Sequence, residues 1–187
     1  MSYSFETAIF PLEGVVFFPS LTLPLNIFEP RYILMVNDCI EKGRLLAVGD
    51  PDPAPGALYG VGTVQLYEKR ADGTMVILVR GSTRARVKSL SQDNPYWIGE
   101  LEPLTEPTLV ADEHRFFLQR LTAGLEEWAK ETLPDALSRS AFLEGLKNPR
   151  VLIETYAHFK IGDADIRQSL LESESLDSRV ELLRRVI

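Results

Sequence analysis

Read from its amino terminus, the chain carries apolar residues in short runs cut by prolines. Val15 to Phe18 and Leu21 to Leu25 are two such runs, and Pro11, Pro19, Pro24 and Pro30 punctuate them. Proline fixes φ and removes a backbone donor, so each one ends a ladder or starts an element. The pattern predicts short strands at 15–18 and 21–25, joined by a corner at Pro19-Ser20. Pro30 then stands where a helix can open, at the first helical position. Glu29 just ahead of it can serve the exposed N–H groups of that turn. Tyr32, Met35, Val36 and Cys39 share one face of this helix. Gly43 supplies a left-handed stop after Glu41.

Further strands are predicted at Leu45 to Val48, Tyr59 to Glu68, Thr74 to Val79, Val87 to Leu90 and Trp97 to Leu101. Ala71-Asp72-Gly73 is a hairpin signal between two of them. Met75, Ile77 and Val79 alternate with Val76 and Leu78, so both faces are apolar and that strand is expected to be central. Asp50-Pro51-Asp52-Pro53-Ala54-Pro55-Gly56 can be neither helix nor ladder and reads as an exposed loop. A closed or nearly closed barrel would remove unpaired strand edges. Later in the chain the period changes. Phe117, Leu121, Leu125 and Trp128 form one stripe of a helix begun near Asp112. Asn148-Pro149 is an N-cap followed by proline, opening a helix expected to bury Val151, Leu152, Tyr156 and Phe159 and to stop at Gly162. Ile166, Leu170 and Leu171 mark another short helix, and Leu176, Val180, Leu183 and Ile187 the last. Ten of the twelve prolines fall at or before Pro107. The division is therefore placed between a β-rich part, 1–108, and a helical part, 109–187, an α+β class.

Several of these stretches carry a family resemblance. Phe10-Pro11-Leu12, Val16-Phe17-Phe18-Pro19, Leu23-Pro24-Leu25 and Ile27-Phe28-Glu29-Pro30-Arg31-Tyr32, followed by Met35, resemble the opening of the N-terminal domain of the ATP-dependent protease Lon. Cereblon carries a related domain. Arg80-Gly81-Ser82-Thr83-Arg84-Ala85-Arg86-Val87 resembles a strand motif of that family, with Ala85 where a large apolar residue is usual. Gln168 to Leu171, Arg179 and Leu182-Leu183 are similar to its closing helices. The resemblance implies a PUA-like pseudo-barrel with one helix, followed by a helical bundle, together one domain. It also implies binding of protein or unfolded peptide, and it is compatible with a homo-oligomer.

Composition narrows the function. No glycine is followed directly by lysine, so the phosphate loop of an ATPase is absent from these residues, and so is a Gly-x-Ser-x-Gly elbow. The chain ends after the last helix, so the expectation is a stand-alone Lon-N-like domain, non-catalytic, with neither motor nor protease. The longest apolar runs fall well short of the ~20 residues a membrane helix needs, and no secretory signal is visible. A cytoplasmic protein without membrane contact is expected. The single cysteine, Cys39, rules out an intrachain disulfide and reads as a core residue. His114 and His158 stand in separate helices without metal-ligand spacing, so no metal and no cofactor is expected.

Net charge is −7, with 9 basic against 13 acidic residues before the cut after Thr108 and 11 against 14 after it. This acidity weighs against nucleic acid, whose binding rests on Lys and Arg neutralising phosphates. RNA contact through the Arg80/Arg84/Arg86 strand is the alternative reading. The favoured one is a peptide site where strands meet helices, lined by Phe18, Leu21, Tyr32 and Trp97. Arg80 or Arg84 would hold a carboxylate or carbonyl there. Glu29, Pro30 and Arg31 are assigned structural roles at the start of the helix, with Arg31 making a buried charge-assisted bond to nearby backbone carbonyls or a carboxylate.

Overall fold

The computed structural model describes residues 3–92, 95–105 and 109–187. The chain divides into two compact units, Met1–Thr105 and Glu106–Ile187. The first holds strands β1 (Phe5–Pro11), β2 (Thr22–Ile27), β3 (Leu46–Gly49), β4 (Leu58–Lys69), β5 (Met75–Ser91) and β6 (Trp97–Leu104). Helix α1 (Pro30–Lys42) lies between β2 and β3 in sequence. The strands hydrogen-bond in the order β2-β5-β4-β3-β1-β6, and β6 pairs in turn with β5, so the sheet closes on itself. β1 and β3 are parallel, as strands bridged by a helix can be, and the other pairings are antiparallel.

Closure depends on β5. Its first half pairs with β2 and β4, and its second half with β4 and β6. The two strands expected at 74–79 and 87–90 are thus one element of 17 residues. Val15 to Phe18, expected as a strand, is not one; it is irregular chain with Val16, Phe17 and Phe18 buried. Glycines in the neighbouring strands give the reason. A Cβ on Gly60 would lie 1.7 Å from the Phe17 carbonyl oxygen, and one on Gly81 would lie 2.5 Å from that of Pro19. Segment 15–19 therefore lies with its backbone directly against β4 and β5 instead of pairing beside them.

Strand alternation sorts the apolar residues into two clusters. Ala8 and Phe10 of β1, Leu46 and Val48 of β3, and Ile77 and Val79 of β5 enter one, together with Met35, Val36 and Cys39 of α1. Ile9 and Ala47, between those positions, enter the other with Tyr59, Val61, Ala85 and Leu101. Strands β1 and β3 are thus apolar on both faces, the mark of central strands. Ala85 stands opposite Tyr59 in the β4–β5 ladder, and both are completely buried. The tyrosine ring supplies bulk beside the small residue.

The second unit contains a 3-10 turn (Asp112–His114) and helices α2 (Arg115–Thr132), α3 (Ala136–Gly145), α4 (Pro149–Lys160), α5 (Ala164–Glu172) and α6 (Leu176–Val186). Asn148 caps α4 through the N–H groups of Arg150 and Val151, with Pro149 in the first turn. Asp135, Asp163 and Ser175 cap α3, α5 and α6 in the same manner. The buried stripe of α2 is Phe117, Leu121, Leu125 and Ala129. Trp128 sits at its margin, stacked 4.2 Å from the ring of Phe159, which α4 leaves 42% exposed instead of burying as expected, because the buried face runs through Leu152, Ile153 and Ala157. Between α4 and α6, Arg179 Nη1 donates to Glu154 Oε1 at 2.9 Å, and both side chains are completely buried.

Candidate functional site

Proline at the first turn and Gly43 at φ 61° fix where α1 begins and stops. That places Arg31 and Tyr32 on its opening turn. The Tyr32 ring lies against Phe10 of β1, with centroids 4.5 Å apart. The Arg31 guanidinium stands over the other part of this patch, 4.7 Å from the Tyr32 centroid. The β1–β6 ladder pairs Trp97 with Ile9 and so brings the start of β6 beside the end of β1. Tyr32, Tyr96, Trp97 and Arg31 line a cavity of about 280 Å³. Pro11, Pro51 and Pro95 add rigid rings to its wall, and Gln92 adds an amide. All of these residues belong to the first unit.

The Tyr96 phenol at the wall is held in place. The Tyr96 hydroxyl donates to the Asp38 carboxylate, whose other oxygen takes Lys42 Nζ at 3.1 Å. Burial, reinforced by that hydrogen bond to Asp38, pushes the Tyr96 phenol well above its ordinary pKa. The bond from Tyr96, with a second from Lys42, holds Asp38 below the usual carboxylate range. Burial also raises Tyr32, and the Arg31 charge offsets part of that rise. Both phenols thus keep their protons at neutral pH. The cavity offers aromatic faces, proline rings, phenol edges, a guanidinium and an amide. Its volume of about 280 Å³ falls just below the roughly 300–1,000 Å³ of small-molecule sites and is enough for one large side chain.

Arg31 meets the Glu29 carboxylate through Nε at 3.0 Å and Nη2 at 2.9 Å. The expected carboxylate partner is therefore present, but the expected burial is not. The two side chains are 53% and 41% exposed. A pair in that setting is worth about 0–1 kcal/mol, because water screens it. Arg31 is accordingly accessible at the rim of the cavity rather than locked beneath it.

Of the residues singled out from sequence, Tyr32 and Trp97 come together here. Phe18 is completely buried and presents no surface to a ligand. Leu21 is half-buried; its N–H donates to the Phe18 carbonyl and its carbonyl accepts from Gly81. Arg80 is exposed on β5 opposite Thr22 and Thr63, away from the cavity wall. Arg84 is buried, at 2% exposure, while Arg86 is exposed and donates to the Gly56 carbonyl at 3.1 Å. The three arginines therefore do not form one open stripe. Sequence reasoning missed Tyr96 and Gln92. The Pro95-Tyr96-Trp97 sequence, a proline leading into two aromatics, was the available signal.

The chain belongs to the family described as the ATP-dependent protease La (LON) substrate-binding domain, whose family model matches residues 6–187. Among its relatives, Lon protease from Desulfovibrio desulfuricans is 32% identical over 186 residues, covering 90% of this chain and 20% of its own length. Lon protease from Escherichia coli K12 is 27% identical, covering 95% of this chain and 24% of its own. The chain thus spans a quarter or less of the Lon proteases it matches. A crystal structure of a Lon N-terminal domain protein from Xanthomonas campestris superposes with a TM-score of 0.74 at 25% identity, covering 97% of this chain and 98% of the other. The N-terminal domain of Mycobacterium avium complex Lon protease gives 0.75 at 14% identity, covering 96% of each, a likeness of fold.

Proposed function

We propose that the chain is a non-catalytic module that recognises protein or unfolded peptide, acting as an adaptor in proteolysis or protein quality control. The observation that carries this reading is the cavity between Arg31, Tyr32 and Trp97. It holds one side chain of an extended segment against aromatic faces, while the guanidinium takes a carboxylate or a backbone carbonyl of the same segment. The lining provides contact area and hydrogen bonds, and both phenols stay protonated. Those are means of binding and orientation. Membership of a family described as substrate-binding supports the same reading.

The test uses Trp97 as its own reporter, since the chain has two tryptophans and Trp128→Phe leaves only this one. Titration with unfolded casein is expected to change Trp97 emission saturably. Tyr32→Ala and Arg31→Ala are each expected to weaken binding about tenfold, equivalent to ~1.4 kcal/mol. Both variants should keep the parent melting temperature to within a few degrees, Arg31→Ala most closely. Absence of a saturable change, or unaltered affinity in both folded variants, overturns the proposal.

A further inference from the structure

The side chains lining the cavity of the first unit donate hydrogen bonds more readily than they accept them. Arg31 and the Trp97 indole carry N–H groups and no lone pair to offer. Gln92 adds an amide, and Tyr32 adds a hydroxyl that keeps its proton at neutral pH. The Tyr32 hydroxyl and the Trp97 indole N–H have no hydrogen-bond partner among the described residues, and neither atom is shut off from solvent. The carboxylate behind the wall is already engaged. Asp38 takes the Tyr96 hydroxyl on one oxygen and Lys42 on the other.

Charge decides which acceptors suit these donors. Arg31 meets Glu29 through Nε at 3.0 Å and Nη2 at 2.9 Å, so its charge is largely balanced while its Nη1 group stays available. Donors with little net charge behind them suit neutral acceptors better than a carboxylate. Backbone carbonyls are the neutral acceptors of a peptide. In an ordinary extended segment, however, each carbonyl comes with an N–H. Pressed against this wall, that N–H would lose water and find few acceptors, which costs free energy.

Proline brings the carbonyl without the N–H. In the polyproline II conformation no carbonyl is used internally, so every one remains open to a donor. Proline-rich segments dock against aromatic-lined surfaces, and Tyr32 and Trp97 supply such faces here. We propose that the segment this cavity takes is proline-rich and in the polyproline II conformation, an inference that rests on the cavity being a peptide site. A volume of about 280 Å³ admits a proline ring together with its flanking carbonyls. The ligand's conformation is set before it binds, which lowers the cost of ordering it.

Emission of Trp97 in the Trp128→Phe background is the measurement, with peptides that carry no fluorophore of their own. Acetyl-hexaproline-amide is expected to change it saturably. Acetyl-Ala-Ser-Ala-Ser-Ala-Ser-amide should bind about tenfold more weakly, because its N–H groups are left without acceptors. Acetyl-Ala-Ser-Glu-Ser-Ala-Ser-amide should bind no better than that. Tyr32→Phe keeps the ring and deletes one donor, so it should weaken hexaproline about fivefold. Amide spectra establish that the variant is folded. Should it fail to fold, Gln92→Ala carries the same test, since that residue is exposed. Unfolded casein is titrated alongside. Casein binding without preference for hexaproline, tightest binding of the glutamate peptide, or undiminished affinity in the folded variant overturns the proline assignment alone. No response to casein or to any peptide overturns the peptide site and the assignment with it.

Discussion

Arg179→Met should cripple the second unit while leaving the first intact. Arg179 and Glu154 have completely buried side chains, joined at 2.9 Å. Removing the arginine leaves a buried carboxylate, and breaking such a pair from one side costs about 3–5 kcal/mol. Arg150 moderates the loss, because its Nε also reaches Glu154 Oε1, at 3.1 Å. Its side chain is 24% exposed, so it compensates only in part. The lower end, about 3 kcal/mol, is therefore expected, a large share of the ~5–15 kcal/mol that holds a typical domain together. Adding Glu154→Leu should recover much of that loss, since replacing both buried charges by apolar groups is often close to neutral. The measurement is urea unfolding in a Trp97→Phe background, where Trp128 of α2 reports on its own unit. A single variant that loses less than ~1 kcal/mol, or a double variant as poor as the sum of its parts, would refute the argument.

Two further outcomes follow from the first unit. Gly60→Ala should cost at least about 2–3 kcal/mol, because its Cβ would meet the Phe17 carbonyl oxygen at 1.7 Å and neither backbone can move cheaply. A Trp128→Phe background makes Trp97 the reporter in urea unfolding, and parent-like stability would contradict the close approach. Burial pushes the Cys39 thiol from 9.0 up to about 11. The folded state thus holds this proton more tightly, so the thiol's contribution is present below pH 9 and is lost as pH rises toward 11. Ellman's reagent at pH 8 should label Cys39 no faster than the fold opens, and Cys39→Ala should flatten part of the alkaline loss of stability. Immediate labelling of the folded protein would count against its burial.

Elements with chemical punctuation were legible from sequence. Helix α1 opens at Pro30 and closes at Gly43, as the two residues imply, and Asn148-Pro149 starts α4. The α+β order, strands first and helices after, followed from the change of period. What escaped depended on distant partners or on missing signal. β1 was not predicted, because its buried run from Thr7 to Phe10 faces apolar neighbours on both sides and shows no polar alternation. α3 has no buried residue, so no apolar stripe announced it. Val15 to Phe18 has strand composition, but Gly60 and Gly81, far along the chain, decide that its backbone lies against the sheet instead of joining it.

The same non-local geometry separates Phe18 from Tyr32. Both are aromatic residues in the proline-rich opening, and nothing local distinguishes a ring in the core from one beside a cavity. The glycines of β4 and β5 draw segment 15–19 inward and bury Phe18, whereas Tyr32 begins a helix whose first turn reaches the rim. The cavity lies where regular structure begins and ends. β1 ends at Pro11, α1 begins at Pro30, and β6 begins after Pro95. Proline rings at such points have few conformations to lose, so the wall is ordered before any ligand arrives. Pro11, one of the prolines that interrupt the opening pattern and carry part of its family resemblance, thus also supplies a preorganised edge to this cavity. A ligand there would bear little of the cost of ordering it.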